Sequence, residues 1–152
     1  MKGIIAVVGP SKPDEKTKKR AYIAGHAIAE AGFILATGGL GGAMAHASRG
    51  AKKAGGTVIG VLPGRDPKKA NRFVDIVLGT GLGGMRNFLL VNISRAVVAV
   101  GMSTGTLTEV SWALREGIPI FGFMPPYPGL EMPFSEDEED LRGFLRKFSD
   151  PT

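Results

Sequence analysis

Short apolar runs alternate along this chain with longer stretches in which apolar residues recur at helical spacing. The runs predict strands over 4–8, 33–36, 57–61, 96–100 and 118–121, with a weaker one at 74–77; helices fill about 14–31, 42–54, 84–94 and 105–116. Three of those helices end on one device, since Ala31-Gly32, Ala54-Gly55 and Glu116-Gly117 read as glycine C-caps leading straight into the next strand. Continuous Val/Ile/Ala runs suit strands covered on both sides. The fold class expected is therefore α/β: a Rossmann-like, doubly wound and mainly parallel sheet of five or six strands with helices on both faces. In such a sheet the ligand crevice lies at the carboxyl ends of the strands.

The pattern also divides the chain, with residues 1–122 as a Rossmann-like nucleotide-binding domain and residues 123–152 as an appended piece. Four prolines (Pro125, Pro126, Pro128 and Pro133) make 122–135 a surface crossing rather than a central element. A last helix follows, opened by Ser135 and Glu138 as a capping box and carrying Leu141, Phe144, Leu145 and Phe148 on one face. That face is expected to dock on the same domain or on a second subunit.

Two glycine-rich turns fall where a strand hands over to a helix. The first is Thr37-Gly38-Gly39-Leu40-Gly41-Gly42-Ala43-Met44, and the second is Ser103-Thr104-Gly105-Thr106-Leu107-Thr108-Glu109. Glycine lets an anion approach the backbone, and a helix start adds free N–H groups and partial positive charge. Phosphate-binding candidates are thus Gly38, Gly39, Gly41, Gly42, Ser103, Thr104, Gly105 and Thr106, with Ser11 at the end of the first strand facing the same crevice. No Gly-Lys-Ser/Thr closes either turn, and no carboxylate ends the strand Gly60-Val61-Leu62, so neither a Walker motif nor an ordinary NAD fingerprint is present.

Composition narrows the picture. With 152 residues, 43% of them hydrophobic, the chain can bury a real core as one domain. It has no cysteine, which excludes a thiolate metal site and a cysteine nucleophile and is compatible with a reducing cytoplasm, the location expected. His26 and His46 lie on separate helices, and no metal site is expected. Residues 1–130 hold 16 Lys/Arg against 7 Asp/Glu, a balance of +9, while residues 131–152 hold 3 against 7, a balance of −4. A basic body favours anionic ligands, and a small phosphorylated one is preferred over nucleic acid because no aromatic residues interleave with Lys16, Lys18, Lys19 and Arg20. No apolar run reaches the roughly 20 residues of a membrane span, and Gly3 to Val8 reads as a first strand rather than a leader. Trp112, Leu114 and Met44 fall in apolar-periodic helices and are assigned to packing.

The two turns, together with Gly79-Thr80-Gly81 through Met85-Arg86-Asn87, resemble the Rossmann-like superfamily of the LOG (Lonely guy) phosphoribohydrolases, many of which carry a lysine decarboxylase label. The branch most similar is that of bacterial molybdenum cofactor carrier proteins, and DNA-processing protein A is a distant likeness. The resemblance covers residues 1–122. The LOG pattern PGGxGTxxE falls on Gly101 to Glu109, keeping Gly105-Thr106 and Glu109, while the family's Arg-Lys pair falls on Arg86-Asn87 and loses the lysine. The resemblance implies Arg86 and Glu109 as a catalytic pair cutting the base from a nucleoside 5′-monophosphate. It also implies a carrier that binds a nucleotide monophosphate or molybdenum cofactor without turnover, which the altered Gly101-Met102-Ser103 and the lysine lost at Asn87 put ahead of hydrolysis, with DNA binding as a third reading, and a homo-oligomer, dimer or tetramer. Thr106-x-x-Glu109 is also a capping-box pattern, which leaves a purely structural reading of Glu109 open.

Overall fold

The computed structural model of the chain describes residues 2–150. Six parallel strands, β1 (Ile4–Val8), β2 (Ile34–Thr37), β3 (Val58–Leu62), β4 (Ile76–Gly79), β5 (Ala96–Ala99) and β6 (Ile120–Gly122), form one sheet in the order β4-β3-β2-β1-β5-β6. The chain walks outward from β1 to β4, crosses back to β5 and continues to β6. Helices α1 (Glu15–Glu30), α2 (Ala43–Lys53), α3 (Arg86–Asn92), α4 (Thr104–Glu116) and α5 (Glu138–Arg146) cover the two faces. The α/β doubly wound architecture expected from the hydrophobic pattern is the one found.

Alternate residues of each strand feed separate cores, as the period of a pleated strand requires. Ile5, Val7, Leu35, Val58 and Val98 pack with α1, α2 and α5, whereas Ala6, Val8, Ala36, Val97 and Ala99 pack with α3 and α4. Helices α1 and α2 approach so closely that a Cβ on Gly25 would lie 1.9 Å from the Ala47 carbonyl oxygen, and one on Gly50 would lie 2.1 Å from that of Tyr22. Gly32, Gly55 and Gly117 each take positive φ directly after a helix, so the three glycine caps are real stops.

Several expectations are corrected in detail. The last helix is capped by Asp137, whose side chain accepts from the Glu139 N–H, and not by Ser135; Ser135 sits two residues earlier, donating to Asp140 and accepting from the Asp137 N–H. Helix α3 is shorter than 84–94, because the glycines at 83 and 84 form a tight 3₁₀ turn that delays it to Arg86. Leu141, Phe144 and Leu145 of α5 are buried in the chain's own core. Leu114 is 37% exposed rather than packed.

Candidate functional site

Reversal of strand order between β1 and β5 opens a crevice at their carboxyl ends, because the connections leaving the two strands run in opposite directions. A cleft of about 360 Å³ occupies this point, lined by Val7, Val8, Gly9 and Ser11 after β1, by Gly38, Leu40 and Met44, by Pro63, by Gly83 to Asn87 without Met85, and by Ser103 to Thr106 with Glu109. Among the described residues, Arg86 and Glu109 are its only charged lining residues. Met44, assigned to packing from its helical spacing, is part of this wall.

The second glycine turn opens α4 with a side-chain cap. Ser103 caps α4: its side chain accepts from the Thr106 N–H at 3.2 Å and lies 2.9 Å from the Thr106 hydroxyl, and its carbonyl takes the Leu107 N–H at 2.9 Å. Thr104 and Gly105, which line the cleft, then hold the first two N–H groups of the helix, which have no carbonyl within the helix to meet. Because Ser103 is the cap, Thr106 stands inside the helix, and the Thr106-x-x-Glu109 capping box does not form. Glu109 is therefore not held by the helix start.

The first turn serves a different purpose. The Ala43 N–H that opens α2 donates to the Pro10 carbonyl at 3.1 Å, the Gly39 N–H donates to the Thr37 hydroxyl at 3.0 Å, and Asn71 reaches in to donate to the Gly39 and Leu40 carbonyls. Gly42 has φ +65, and a Cβ there would lie 2.3 Å from the Ser11 carbonyl oxygen. Gly39 faces Leu62 and Gly60, and Gly41 is exposed with nothing near it. Of the eleven residues singled out in the sequence, the cleft thus gathers Ser11, Gly38, Arg86, Ser103, Thr104, Gly105, Thr106 and Glu109, while Gly39, Gly41 and Gly42 stand outside its lining.

Arg86 enters the cleft across Gly38, so close that a Cβ there would lie 2.8 Å from the guanidinium carbon. Its Nη1 donates to the Asn87 Oδ1, and the Asn87 amide donates on to the Thr108 hydroxyl, which donates to the Gly105 carbonyl. The Arg86 Nε is buried without a partner. Burial disfavours its charge, but a guanidinium stays protonated.

Glu109 is 6% exposed. Burial pushes its carboxyl from an ordinary 4.5 up to about 8, opposed only by the attraction of Arg86. Among the described residues neither Arg86 nor Glu109 takes part in an ion pair. The cleft therefore brings together an unfinished cation, a predominantly neutral buried carboxyl and free helix N–H groups. Sequence reasoning missed Pro63, Leu40, Gly83 and Gly84 as lining; the third glycine cluster, Gly79 to Gly84, just ahead of Arg86, was the signal for the last two.

Elsewhere, many cations are already engaged. Lys18 pairs with Glu15 and Lys52 with Asp75, and Arg20 bonds both Glu136 and the Val100 carbonyl. His26 bonds Glu30 at 2.8 Å, an acidic partner one turn on. Among the described residues no group of three or more His, Asp or Glu could hold a metal ion, and no helix is long and apolar enough to cross a membrane.

Comparison with known proteins places this geometry. The molybdenum cofactor binding protein of Rippkaea orientalis superposes with a TM-score of 0.91 at 35% identity, covering 97% of both chains. The molybdenum cofactor carrier protein of Chlamydomonas reinhardtii superposes with a TM-score of 0.87 at 37% identity, covering 97% of this chain and 98% of that one. DNA processing protein A of Streptococcus pneumoniae shares the fold alone, with a TM-score of 0.74 at 21% identity over 93% of this chain and 61% of its own. The model of the SLOG cluster4 family matches residues 2–147, nearly the whole chain and both glycine turns. The resemblance read from Arg86, Glu109 and those turns is thereby placed within the LOG-like superfamily, and the chain belongs to its SLOG cluster4 family.

Proposed function

We propose that this protein binds a phosphorylated, nucleotide-like cofactor in the β1/β5 cleft and carries it without chemical change; the proteins it resembles are named for binding or carrying the molybdenum cofactor. The observation that carries this reading is the unpartnered Arg86 Nε, buried beside free N–H groups at the start of α4. A buried donor without an acceptor is unfavourable by about 1–3 kcal/mol, and a ligand is the natural acceptor. The residues fit such a group: Ser103, Thr104, Gly105 and Thr106 would hold its phosphate, and Arg86 and Glu109 its organic part. A cleft of about 360 Å³ suits a ring system and one phosphate. A molybdenum cofactor supplies redox chemistry to the enzyme that receives it; this chain's residues supply binding and orientation.

The LOG-like alternative, hydrolysis of a nucleoside 5′-monophosphate, needs an ionised carboxylate beside the sugar as positive charge develops there. Glu109, raised to about 8, is mostly protonated at neutral pH. Asn87, standing where the resembled enzymes have lysine, binds the arginine instead of adding a second cation. Both features favour retention over cleavage. The third reading, DNA binding, keeps only part of its basic surface, since Lys18, Arg20 and Lys52 are already paired.

Thermal-shift screening with nucleoside monophosphates, inorganic phosphate and extracted molybdenum cofactor tests the proposal. Stabilisation by at least one phosphorylated compound, lost in Arg86→Met, is expected, with no free base released from AMP, GMP, CMP or UMP. Glu109-dependent base release would put the hydrolase first, and no shift with any compound would remove the site.

Assembly as a homo-oligomer belongs to the same proposal, but its surface differs from the expected one. Helix α5 spends its apolar face internally, whereas Ile76, Leu78, Leu82, Met85 and Leu114 are exposed, and Phe88, Leu107 and Trp112 line a surface groove. Light scattering at micromolar concentration should give a multiple of the 15.9 kDa chain mass, and Met85→Lys with Leu114→Lys should shift it toward one chain. A monomer in the unaltered protein would exclude the oligomer.

A further inference from the structure

Where α1 and α2 touch, a second group of cations gathers away from the cleft. Glycines at 25 and 50 let the two backbones meet, and the side chains flanking that contact face one another across a cavity of about 250 Å³. Its polar lining is Glu15, Lys18, Lys19 and Tyr22 from α1 and His46 and Arg49 from α2. None of these residues lines the β1/β5 cleft.

Like charges so placed repel, and His46 registers it. Burial, Arg49 and Lys18 hold its ring below the ordinary 6.5, opposed only by Glu15. Glu15 is a weak counter-ion for the group, because its side chain is 83% exposed and its carboxylate is given to Lys18 at 2.8 Å. Among the described residues Lys19, His46 and Arg49 take part in no ion pair. Arg49 is also held ready for a ligand. Its guanidinium carbon lies 4.9 Å from the centroid of the Tyr22 ring, which in turn stacks on His26. A guanidinium over an aromatic ring spends its face there and keeps its edge N–H groups, the ones that bond oxyanions.

Charge and shape together define the missing partner. Lys18, Lys19 and Arg49 against Glu15 leave a balance of +2, which matches the roughly −2 of a phosphate monoester. Donors supplied from two facing helices suit a tetrahedral oxyanion better than a flat carboxylate.

We propose that the groove between α1 and α2 is a second anion site, separate from the cleft, that takes the phosphoryl dianion of a small phosphomonoester. Arg49 and Lys19 are its main ligands, Lys18 turns to it from Glu15, and His46 gains a proton as it binds. The groups facing His46 are Arg49 on its own helix and Glu15, Lys18, Lys19 and Tyr22 on α1. A bound dianion outweighs the two cations that oppose the imidazolium, so binding strengthens as pH falls through the histidine range.

The chain has two histidines, and ring-proton NMR of the full chain therefore reads the site directly. Sulfate is the probe, being a tetrahedral dianion whose charge stays fixed over the titration, with chloride at equal ionic strength as control. His46, assigned with His46→Gln, should titrate below 6.5 in chloride and about one pH unit higher in saturating sulfate, equivalent to roughly tenfold tighter binding to the protonated ring. His26 should move by less than half as much. Arg49 is exposed, so Arg49→Ala keeps both cores and should abolish the sulfate shift. Glu15→Gln should tighten sulfate binding about twofold or more as the competing carboxylate is removed. Arg86→Met should leave the shift unchanged. At neutral pH glycerol 3-phosphate should move the His46 signal as sulfate does, and dimethyl phosphate, a singly charged diester like the nucleic-acid backbone, should not. Equal shifts in sulfate and chloride, or a sulfate shift that survives Arg49→Ala, would reduce the groove to a solvated basic face and overturn the site. Loss of the shift in Arg86→Met would place the anion in the β1/β5 cleft and overturn it equally, whereas the cleft's own ligand stands or falls on the thermal-shift screen. An equal response to dimethyl phosphate would overturn the dianion assignment and make the groove a contact for nucleic-acid backbone.

Discussion

Replacing Glu109 by glutamine should flatten the dependence of folding stability on pH and make the protein more stable than wild type above neutrality. The carboxyl is raised from 4.5 to about 8 in the folded state. Folded protein therefore holds this proton to higher pH than unfolded chain does, so its contribution is fully present below about pH 4.5 and is lost as pH rises toward 8. At about 1.4 kcal/mol per pH unit the loss would be roughly 3 kcal/mol by pH 7 and approach 5 kcal/mol above pH 8. A buried glutamine amide lacking partners would itself be unfavourable by about 1–3 kcal/mol. The net gain of Glu109→Gln at pH 8 should thus be about 2 kcal/mol, changing sign at about pH 6. Urea unfolding of both proteins at pH 5 and pH 8 measures it, and parallel pH dependences would refute the assignment. A residue that weakens the unliganded fold at neutral pH belongs to the ligand's requirements, and saturating ligand should close the gap between the two proteins.

Hydrophobic alternation was enough to locate every strand, because parallel strands buried on both faces need continuous apolar runs that few other elements require. β1 falls on 4–8 as read, and even the weak signal at 74–77 marks β4, shifted by two residues at an exposed edge where Ile76 and Leu78 are under little pressure to alternate. The ends of helices were less legible. Ser103 and Thr106 are both plausible caps three residues apart, and only the extended backbone at Ser103, with its side chain on the Thr106 N–H, separates them. Glycine turns proved ambiguous for a physical reason: whether a turn's backbone N–H and C=O groups are free depends on distant residues. Pro10 and Asn71 satisfy the first turn from 33 residues before Ala43 and 32 after Gly39, so no local pattern distinguishes it from the second. Likewise the sequence offers Arg86 and Glu109 as a pair, but their lack of mutual contact is a property of the fold.

That ambiguity can be resolved within the first turn by changing its glycines one at a time. A Cβ on Gly38 would lie 2.6 Å from the Met44 sulfur and 2.8 Å from the Arg86 Cζ and Nη2, all of them ends of flexible side chains. Gly38→Ala should therefore be accommodated by displacing the guanidinium, with stability changed by about 1 kcal/mol or less. The displaced group no longer reaches its acceptor. Loss of a charge-assisted hydrogen bond of about 1.5–3 kcal/mol predicts a fall of roughly 10- to 100-fold in affinity for the phosphorylated ligand. Gly42→Ala makes the contrast, because its Cβ would meet the Ser11 backbone and its φ of +65 disfavours any side chain. That variant should lose several degrees of melting temperature, whereas Gly41→Ala, with open space around its Cβ, should alter neither property. Melting curves paired with ligand titrations separate the three. Gly38→Ala binding ligand like wild type would show that the guanidinium position over this glycine is immaterial, and Arg86 would then lose its place in the site.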